Sequence, residues 1–278
     1  MTERVDAIEL TQALVRHRTV NPPGDEAACA RHLGGLLERH GFAVTYCRLA
    51  EGREGFVARL GRGKRALGFT GHLDTVPLGA AAWHHDPVAA TIADGRLHGR
   101  GSTDMKAGVA AFCAAAIACR DVLADGPGIE LVVTASEETG SQGAQDMAGK
   151  PGVLGDVGAL VVAEPTSNLP TCGHKGALWM KAISTGVTAH GSMPECGVNA
   201  AYKAGRALQK LSAFTFEAAP HPVMGPPTLN VGTVAAGMNL NSVPDRAEIG
   251  IDIRSIAGMD HDTVREAVVS ALGEDCDA

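Results

Sequence analysis

Three short apolar runs, each leading into histidine or acidic residues, constrain the fold of this chain most strongly. The runs cover residues 66–70, 129–136 and 159–163, and the polar residues that follow them are His72, Asp74, Glu137, Glu138 and Glu164. Short apolar runs of this kind are typical of strands buried in a sheet. In an open α/β sheet, ligands bind at the carboxyl ends of the strands. The sequence therefore predicts that these polar side chains gather at one edge of one sheet.

Helical patterns alternate with these strands in the first half of the chain. Cys29, Leu33, Leu36 and Leu37 follow the spacing of one helix face. A fourth acidic segment, residues 99–108 with Asp104, precedes an alanine-rich stretch over residues 105–122 that favours a helix. Alternating helices and strands are typical of an α/β domain, and we predict that fold class here.

The pattern changes near Gly176. Strand, helix, strand, strand and helix patterns follow in that order, over residues 178–186, 198–211, 228–236, 246–254 and 261–272. They supply five of the six elements of a ferredoxin-like (split βαβ) sandwich. We therefore predict two domains, a first over residues 1–175 and a smaller α+β domain over residues 176–278.

The residues at the predicted strand ends have the chemistry of a metal site. His72, Asp104, Glu138 and Glu164 combine an imidazole with carboxylates, a mixture that suits zinc, or cobalt and manganese, better than calcium. Two metals a few ångströms apart would need a bridging carboxylate. Asp74 follows His72 by two residues on extended chain, where its carboxylate can accept the second imidazole N–H and select the metal-binding tautomer.

The adjacent acids Glu137 and Glu138 indicate a general base. Neighbouring residues at a strand end can point in different directions, so that one binds the metal while the other faces a metal-activated water. A free carboxylate beside such a water is what general-base catalysis requires. Each acid alone reads equally as part of a solvated turn. Their combination at successive strand ends is what indicates a metal-dependent enzyme.

Charge and composition argue against several other classes of protein. The 278 residues include 24 Lys+Arg and 31 Asp+Glu, a net charge of −7, which disfavours nucleic-acid and anionic-membrane partners. No apolar run approaches the ~18–20 residues of a membrane span, and the N-terminus lacks a signal-peptide pattern. The seven cysteines are scattered without a C-x-x-C pair, so we expect no disulfide framework and predict a cytoplasmic protein.

Motifs of other enzyme classes do not match. Residues 99–104 fit neither the P-loop nor the Gly-x-Gly-x-x-Gly pattern, which disfavours nucleotide chemistry. The Gly-x-Ser-x-Gly pattern of serine hydrolases does not occur.

Six segments together resemble the M20 family of zinc-dependent peptidases and deacylases, specifically its acetylornithine deacetylase and succinyl-diaminopimelate desuccinylase branch. They are residues 71–77 (GHLDTVP), 94–106 (DGRLHGRGSTDMK), 136–140 (SEETG), 163–166 (AEPT), 189–194 (AHGSMP) and 252–254 (DIR). The segments occur in the family's order along essentially the whole chain. The resemblance implies a catalytic domain with a central mixed sheet flanked by helices, followed after Gly176 by a lid domain that forms a homodimer.

The resemblance also implies a role for each residue of the metal site. His72, Asp104 and Glu164 would hold one zinc ion. Asp104 would bridge to a second zinc ion, which Glu138 would also bind. Glu137 would act first as general base and then as general acid.

Further roles are implied around the metals and in the lid. Asp74 would orient His72. His190 would reach a neighbouring active site and stabilise the oxyanion, and Arg254 with Asn239 or Asn241 would hold the substrate's carboxylate. On the residues alone, His190 reads equally as a turn residue and Arg254 as a member of a surface ion pair.

The implied reaction is hydrolysis of the N-acyl amide bond of an amino-acid-like substrate, of deacetylase or desuccinylase type. Aminoacylase, dipeptidase and carboxypeptidase activities are alternatives within the family. The family's second zinc is also held by a histidine near the C-terminus, and no histidine follows His261 here. We therefore expect a C-terminally truncated chain that binds one zinc tightly and a second weakly or not at all. The non-enzymatic alternative is an inactive fragment that binds metal and dimerises.

Overall fold

The computed structural model describes residues 4–61 and 63–276. The chain divides into two compact units, Met1–Leu169 and Pro170–Ala278. Residues 1–3 and 277–278, at the outer ends of the predicted domains, lie outside the described residues. All seven cysteines are among the described residues, and each is a free thiol. In this described part of the chain, no helix has the length and apolar character needed to cross a membrane.

The first unit is a mixed sheet with helices packed against it. Its helices are α1 (Ala7–Val15), α2 (Ala27–Arg39), α3 (Lys106–Ala118), α4 (Arg120–Asp125) and α5 (Gln142–Gly149). Its strands are β1 (Ala43–Ala50), β2 (Arg53–Leu60), β3 (Ala66–His72), β4 (Thr91–Ala93), β5 (Arg96–His98), β6 (Ile129–Thr134) and β7 (Val157–Val162). The sheet order is β1-β2-β6-β3-β7, and β4 and β5 form a separate hairpin. This confirms the predicted α/β class with a central mixed sheet.

The core of the first unit follows from the apolar patterns of α2 and the central strands. Cys29, Leu33 and Leu37 of α2 are fully buried, as their helical spacing predicts. They pack with Phe56 of β2 and Leu131 of β6, which are also fully buried. Burial of a side chain of this size stabilises a fold by about 1.5–3 kcal/mol. This core packs α2 against the central strands, whose ends carry the loops described next.

Three strands of this sheet end at the same edge. Strand β6 pairs in parallel with β3, and β3 pairs in parallel with β7. His72 is the last residue of β3, Glu137 follows the end of β6, and Glu164 follows the end of β7. Because parallel strands place their carboxyl ends on one side, the loops that carry these residues are neighbours.

The second unit has the predicted order of strand, helix, strand, strand and helix. The elements are β8 (Gly176–Thr185), α6 (Ala200–Ser212), β9 (Thr228–Ala236), β10 (Arg246–Ser255) and α7 (His261–Leu272). The strands form an antiparallel sheet in the order β8-β10-β9. Ile249, Ile251 and Ile253 of β10 alternate onto the buried face, where they pack with Leu211 of α6 and Val268 of α7.

Candidate metal centre

The imidazole of His72 is the centre of the candidate site. The side chain is buried, and its Nε2 lies 3.2 Å from Oδ1 of Asp104, 3.6 Å from Oε1 of Glu164 and 3.9 Å from Oε2 of Glu137. Asp104 comes from the loop before α3, and the two glutamates come from the loops after β7 and β6. The structure therefore brings three other segments of the chain to one imidazole nitrogen. The carboxylates are partly exposed, which leaves this edge of the sheet open to solvent.

Two overlapping groups of side chains have the spacing of metal ligands. One is His72 with Asp104 and Glu164, and the other is His72 with Glu137 and Glu138. Within each group the ligand atoms lie within 4.8 Å of one another. The first group is the set that the sequence predicts for one zinc. The second group contains Glu138, which the sequence predicts as a ligand of the second zinc. Its other carboxylate is that of Glu137, whereas the sequence predicts Asp104.

The second nitrogen of the His72 ring faces Asp74, which is also fully buried. Its Nδ1 lies 2.9 Å from the main-chain carbonyl oxygen of Asp74 and 3.5 Å from the Oδ1 of the same residue. A carbonyl oxygen only accepts, so Nδ1 carries a proton, and Nε2 is the ring nitrogen that faces the other carboxylates. The closer contact is made by the main chain, whereas the sequence predicted the carboxylate.

The carboxylate of Asp74 has a further task, which is to hold the turn after β6. Its Oδ1 accepts from the main-chain N–H of Glu137 at 3.0 Å, and its Oδ2 accepts from the N–H of Glu138 at 3.1 Å. The amide Nδ2 of Asn21 donates to the same Oδ2 at 2.8 Å. Sequence reasoning missed Asn21, since its only local signal is a place in the Asn-Pro-Pro-Gly turn after α1.

The turn after β6 has an uncommon backbone conformation. Ser136 has a φ of +62°, in the left-handed region that residues with a Cβ rarely adopt, and it is fully buried. Its N–H donates to Oε1 of Glu26 at 3.3 Å, and its hydroxyl lies 2.9 Å from that of Thr139. Local strain of this kind persists where the surroundings over-determine it, and it is found at functional sites. Here it redirects the chain immediately before Glu137 and Glu138.

The charges of the site are strongly coupled. Although burial disfavours the charged imidazolium, hydrogen bonds from His72 to the carboxylates of Asp104 and Asp74 outweigh it and raise the pKa of His72 to about 11. Burial raises the pKa of Glu138 to about 7, against the opposing effect of His72 and with the help of the neighbouring carboxylates. Burial likewise raises the pKa of Glu164 to about 7. These shifts are typical of carboxylates crowded together beyond what one imidazole can balance.

The donor atoms fit a divalent metal ion. The site offers one imidazole nitrogen and several carboxylate oxygens around it, which is the set that zinc, cobalt and manganese accept. A cation would also neutralise the crowded carboxylates that raise one another's pKa. Residues from β3, the loop before α3 and the loops after β6 and β7 would hold it.

In the second unit, the predicted lid residues lie in two places. His190 occupies a turn in which its Nδ1 lies 2.8 Å from the hydroxyl of Ser192. The N–H of Gly191 donates to the carbonyl of Asn241 at 2.7 Å, so the loops of His190 and Asn241 are neighbours. Asn239 lies on the same loop as Asn241, beyond the end of β9.

Arg254 lies at the other end of the sheet. It pairs in register with Ala177 and Thr228, whereas the loop of Asn239 and Asn241 follows the β9 end that pairs with Ala247. At about 3.3 Å per residue, the length of β10 separates the two places by roughly 25 Å. One chain therefore does not bring Arg254 to either asparagine, as joint binding of one carboxylate requires. Its guanidinium instead lies 3.0 Å from its neighbour Asp252.

Comparison with known proteins agrees with the site. Residues 68–274 match the profile of Peptidase family M20/M25/M40. A probable succinyl-diaminopimelate desuccinylase of Staphylococcus epidermidis is 31% identical over 301 aligned positions, which cover 97% of this chain and 73% of that protein. An acetylornithine deacetylase of Vibrio parahaemolyticus is 32% identical over 239 positions, which cover 84% of this chain but only 62% of that protein.

A solved structure shows the same fold. The M20 family metallo-carboxypeptidase of Sulfolobus solfataricus superposes with a TM-score of 0.77 at 18% identity, over 98% of this chain and 76% of that one. Both the sequence match and the fold therefore extend across the two units described above. The chain belongs to Peptidase family M20/M25/M40.

Proposed function

We propose that this chain is a metal-dependent amidohydrolase that cleaves the N-acyl amide bond of amino-acid-like substrates, of deacetylase or desuccinylase type. The observation that carries the proposal is the cluster of Asp104, Glu137 and Glu164 around Nε2 of His72. The substrate class comes from relatives that are named as a desuccinylase and a deacetylase. The family membership supports a hydrolase, and the acyl group is what the experiment below identifies.

The proposed metal is a zinc ion, for which cobalt or manganese can substitute. Both candidate ligand groups use the same residue, His72, and its Nδ1 already faces the carbonyl of Asp74. A single imidazole nitrogen serves one metal ion at a time. The described residues therefore support one tightly bound ion at His72, Asp104 and Glu164, and a weaker carboxylate site at Glu138.

Glu137 is the proposed general base. A bound metal ion would polarise the substrate's carbonyl and lower the pKa of an adjacent water molecule. The side chain of Glu137 extends towards the proposed metal position: its Oε2 lies 3.9 Å from Nε2 of His72, and about two fifths of the side chain is exposed. It accepts the proton of the attacking water and then donates it to the leaving nitrogen. The N–H bonds to Asp74 keep its main chain in place during both transfers.

Replacement of Glu137 tests this function. We expect Glu137→Gln to lower kcat by ~10²–10⁴-fold, since the amide cannot accept a proton, while zinc stays bound. Turnover is measured on N-acetyl and N-succinyl amino acids and on dipeptides, and zinc content by metal analysis after dialysis. Glu38→Gln, which changes an exposed glutamate of α2, is the matched control and keeps full activity.

Each outcome of that experiment is informative. Hydrolysis of dipeptides alone would replace the deacylase proposal by the dipeptidase alternative. Zinc binding without turnover of any of these substrates by the unchanged chain would favour the inactive metal-binding protein. Full activity of Glu137→Gln would remove Glu137 from the reaction.

The proposal includes a homodimer formed through the second unit, in which His190 serves the partner's site. Two features support it. Arg254 and the loop of Asn241 lie at opposite ends of β10, so a carboxylate that contacts both must be bound by two chains. His190 also lies in an exposed turn rather than in the core of its own unit.

A further inference from the structure

The segment of residues 19–26, which we call the bracing segment, runs along the chain that leaves β3. Val20 forms a parallel bridge with Thr75, and the N–H of Asn21 donates to the carbonyl of Thr75 at 2.8 Å. The hydroxyl of Thr19 donates to the carbonyl of Leu73 at 2.6 Å. The bracing segment therefore contacts the main chain on both sides of Asp74.

The same segment also reaches the turn after β6. Glu26 is fully buried, and its Oε1 accepts the N–H of Ser136 at 3.3 Å. Arg53 holds the carboxylate of Glu26 through Nε at 2.6 Å and through a second nitrogen at 2.8 Å. A paired, buried carboxylate of this kind keeps one geometry, because any movement would leave a buried charge unpaired.

Asn21 connects the two strand ends through its side chain. The residue is only 3% exposed, and its Nδ2 donates to Oδ2 of Asp74 at 2.8 Å and to the hydroxyl of Thr139 at 3.0 Å. An amide nitrogen has two hydrogens, so both are used. One holds a residue that follows β3, and the other holds a residue that follows β6.

The bond to Asp74 bears directly on the acidic turn. Oδ2 of Asp74 receives both Asn21 and the N–H of Glu138, while Oδ1 receives the N–H of Glu137. Two of these three hydrogen bonds come from the turn itself, and the third, from Asn21, connects the carboxylate to the bracing segment.

We propose that Asn21 is a positioning residue. By holding Asp74, it fixes the ring of His72, whose Nδ1 faces Asp74, and the distance of Glu137 and Glu138 from that ring. The inference rests on the proposed metal-dependent function, and it assigns Asn21 no contact with substrate or metal. Removal of a group that orients a metal ligand without contacting the metal lowers metal affinity or activity by ~10–100-fold.

Asn21→Leu tests the inference, because leucine has a similar size and no donor. We expect the affinity for zinc, measured by calorimetry or by competition with a chromophoric chelator, to fall ~10–100-fold. We expect kcat to fall with it while KM changes less than about twofold, since the change affects positioning rather than substrate contacts. The matched control is Gln12→Met, which removes an amide that donates to the carbonyl of Ala90 in the same unit. It leaves zinc affinity and kcat unchanged.

Asn21→Asp covers the case in which the leucine variant does not fold. Aspartate keeps the shape of the side chain but, when ionised, cannot donate to Asp74, so zinc affinity falls here too. Unchanged zinc affinity in a folded variant overturns the inference. Absence of zinc binding by the unchanged chain instead overturns the proposed function. An equal loss in Gln12→Met would show a general effect of stability, and it would overturn the inference as well.

Discussion

Asp275 shows how a single residue gains a charge-dependent role from its neighbours. Its side chain is buried beside α6, where Oδ2 lies 2.8 Å from Nζ of Lys210 and Oδ1 lies 2.7 Å from the guanidinium of Arg206. These hydrogen bonds lower the pKa of Asp275 below its usual value, and the bond from Lys210 has the larger effect. The ionised carboxylate therefore stabilises the folded state.

We expect Asp275→Asn to lower the urea midpoint at pH 7. A carboxyl whose pKa is lowered by folding stabilises the protein above its unfolded pKa, about 3.9, and this contribution is lost as the pH falls through the folded pKa. The difference in urea midpoint between the unchanged chain and Asp275→Asn should therefore be largest at pH 7 and should begin to decrease below about pH 5. Asp121→Asn, at an exposed aspartate of α4, serves as the control. A difference that stays constant down to pH 3 would contradict this role.

Helix α3 shows how one element sets the spacing of the site. Asp104 lies just before the helix, and Gly108 in its first turns lies against the end of β7. A Cβ at Gly108 would lie 2.2 Å from the carbonyl oxygen of Ala163, the residue before Glu164. Only glycine allows this close approach, which keeps Asp104 and Glu164 at one imidazole.

We expect Gly108→Ala to lower both stability and zinc affinity. The new methyl group must push α3 away from main-chain atoms that cannot rotate aside, at a cost of about 1–3 kcal/mol. Urea denaturation and zinc titration measure the two effects. The control is Gly205→Ala in α6, where a Cβ meets no atom within 4 Å, and there alanine should stabilise the helix by about 0.5–1 kcal/mol. If Gly108→Ala bound zinc as tightly as the unchanged chain, Gly108 would have no role in the spacing of the metal ligands.

At the scale of the whole molecule, the proposed function includes a homodimer. The candidate metal ligands lie in the first unit, and His190, Asn241 and Arg254 lie in the second. Since Arg254 and Asn241 are at opposite ends of one sheet, a site that uses both combines residues of two copies.

Mixing two inactive variants tests this arrangement. Glu137→Gln keeps an intact second unit, and His190→Ala keeps an intact first unit, so each lacks what the other supplies. Refolded together, they should regain up to about a quarter of the original activity, because half of the dimers are hybrids with one complete site each. Sedimentation velocity of each variant checks that the dimer forms. A mixture that stays inactive while hybrids form would show that each site uses one chain only.

Local sequence patterns were sufficient to predict many of the helices and strands and the group of acidic side chains that gathers around His72. The alternation of Ile249, Ile251 and Ile253 and the helical spacing of Cys29, Leu33 and Leu37 are set by the geometry of strand and helix, and the structure has both. Acids that follow apolar runs come together because parallel strands end at one edge of a sheet, which is a rule of topology rather than of distance.

Contacts between distant segments were decided only by the tertiary structure. Asn21 meets Asp74 across 53 positions and Thr139 across 118, and the sequence at either end carries no mark of its partner. The sequence likewise suggested the Asp74 carboxylate as the partner of His72, although the nearer acceptor is the main-chain carbonyl. Periodicity is a property of neighbouring residues and can be read along the chain. Hydrogen bonds across a fold depend on where packed elements place atoms to within a fraction of an ångström, and only the folded chain determines that.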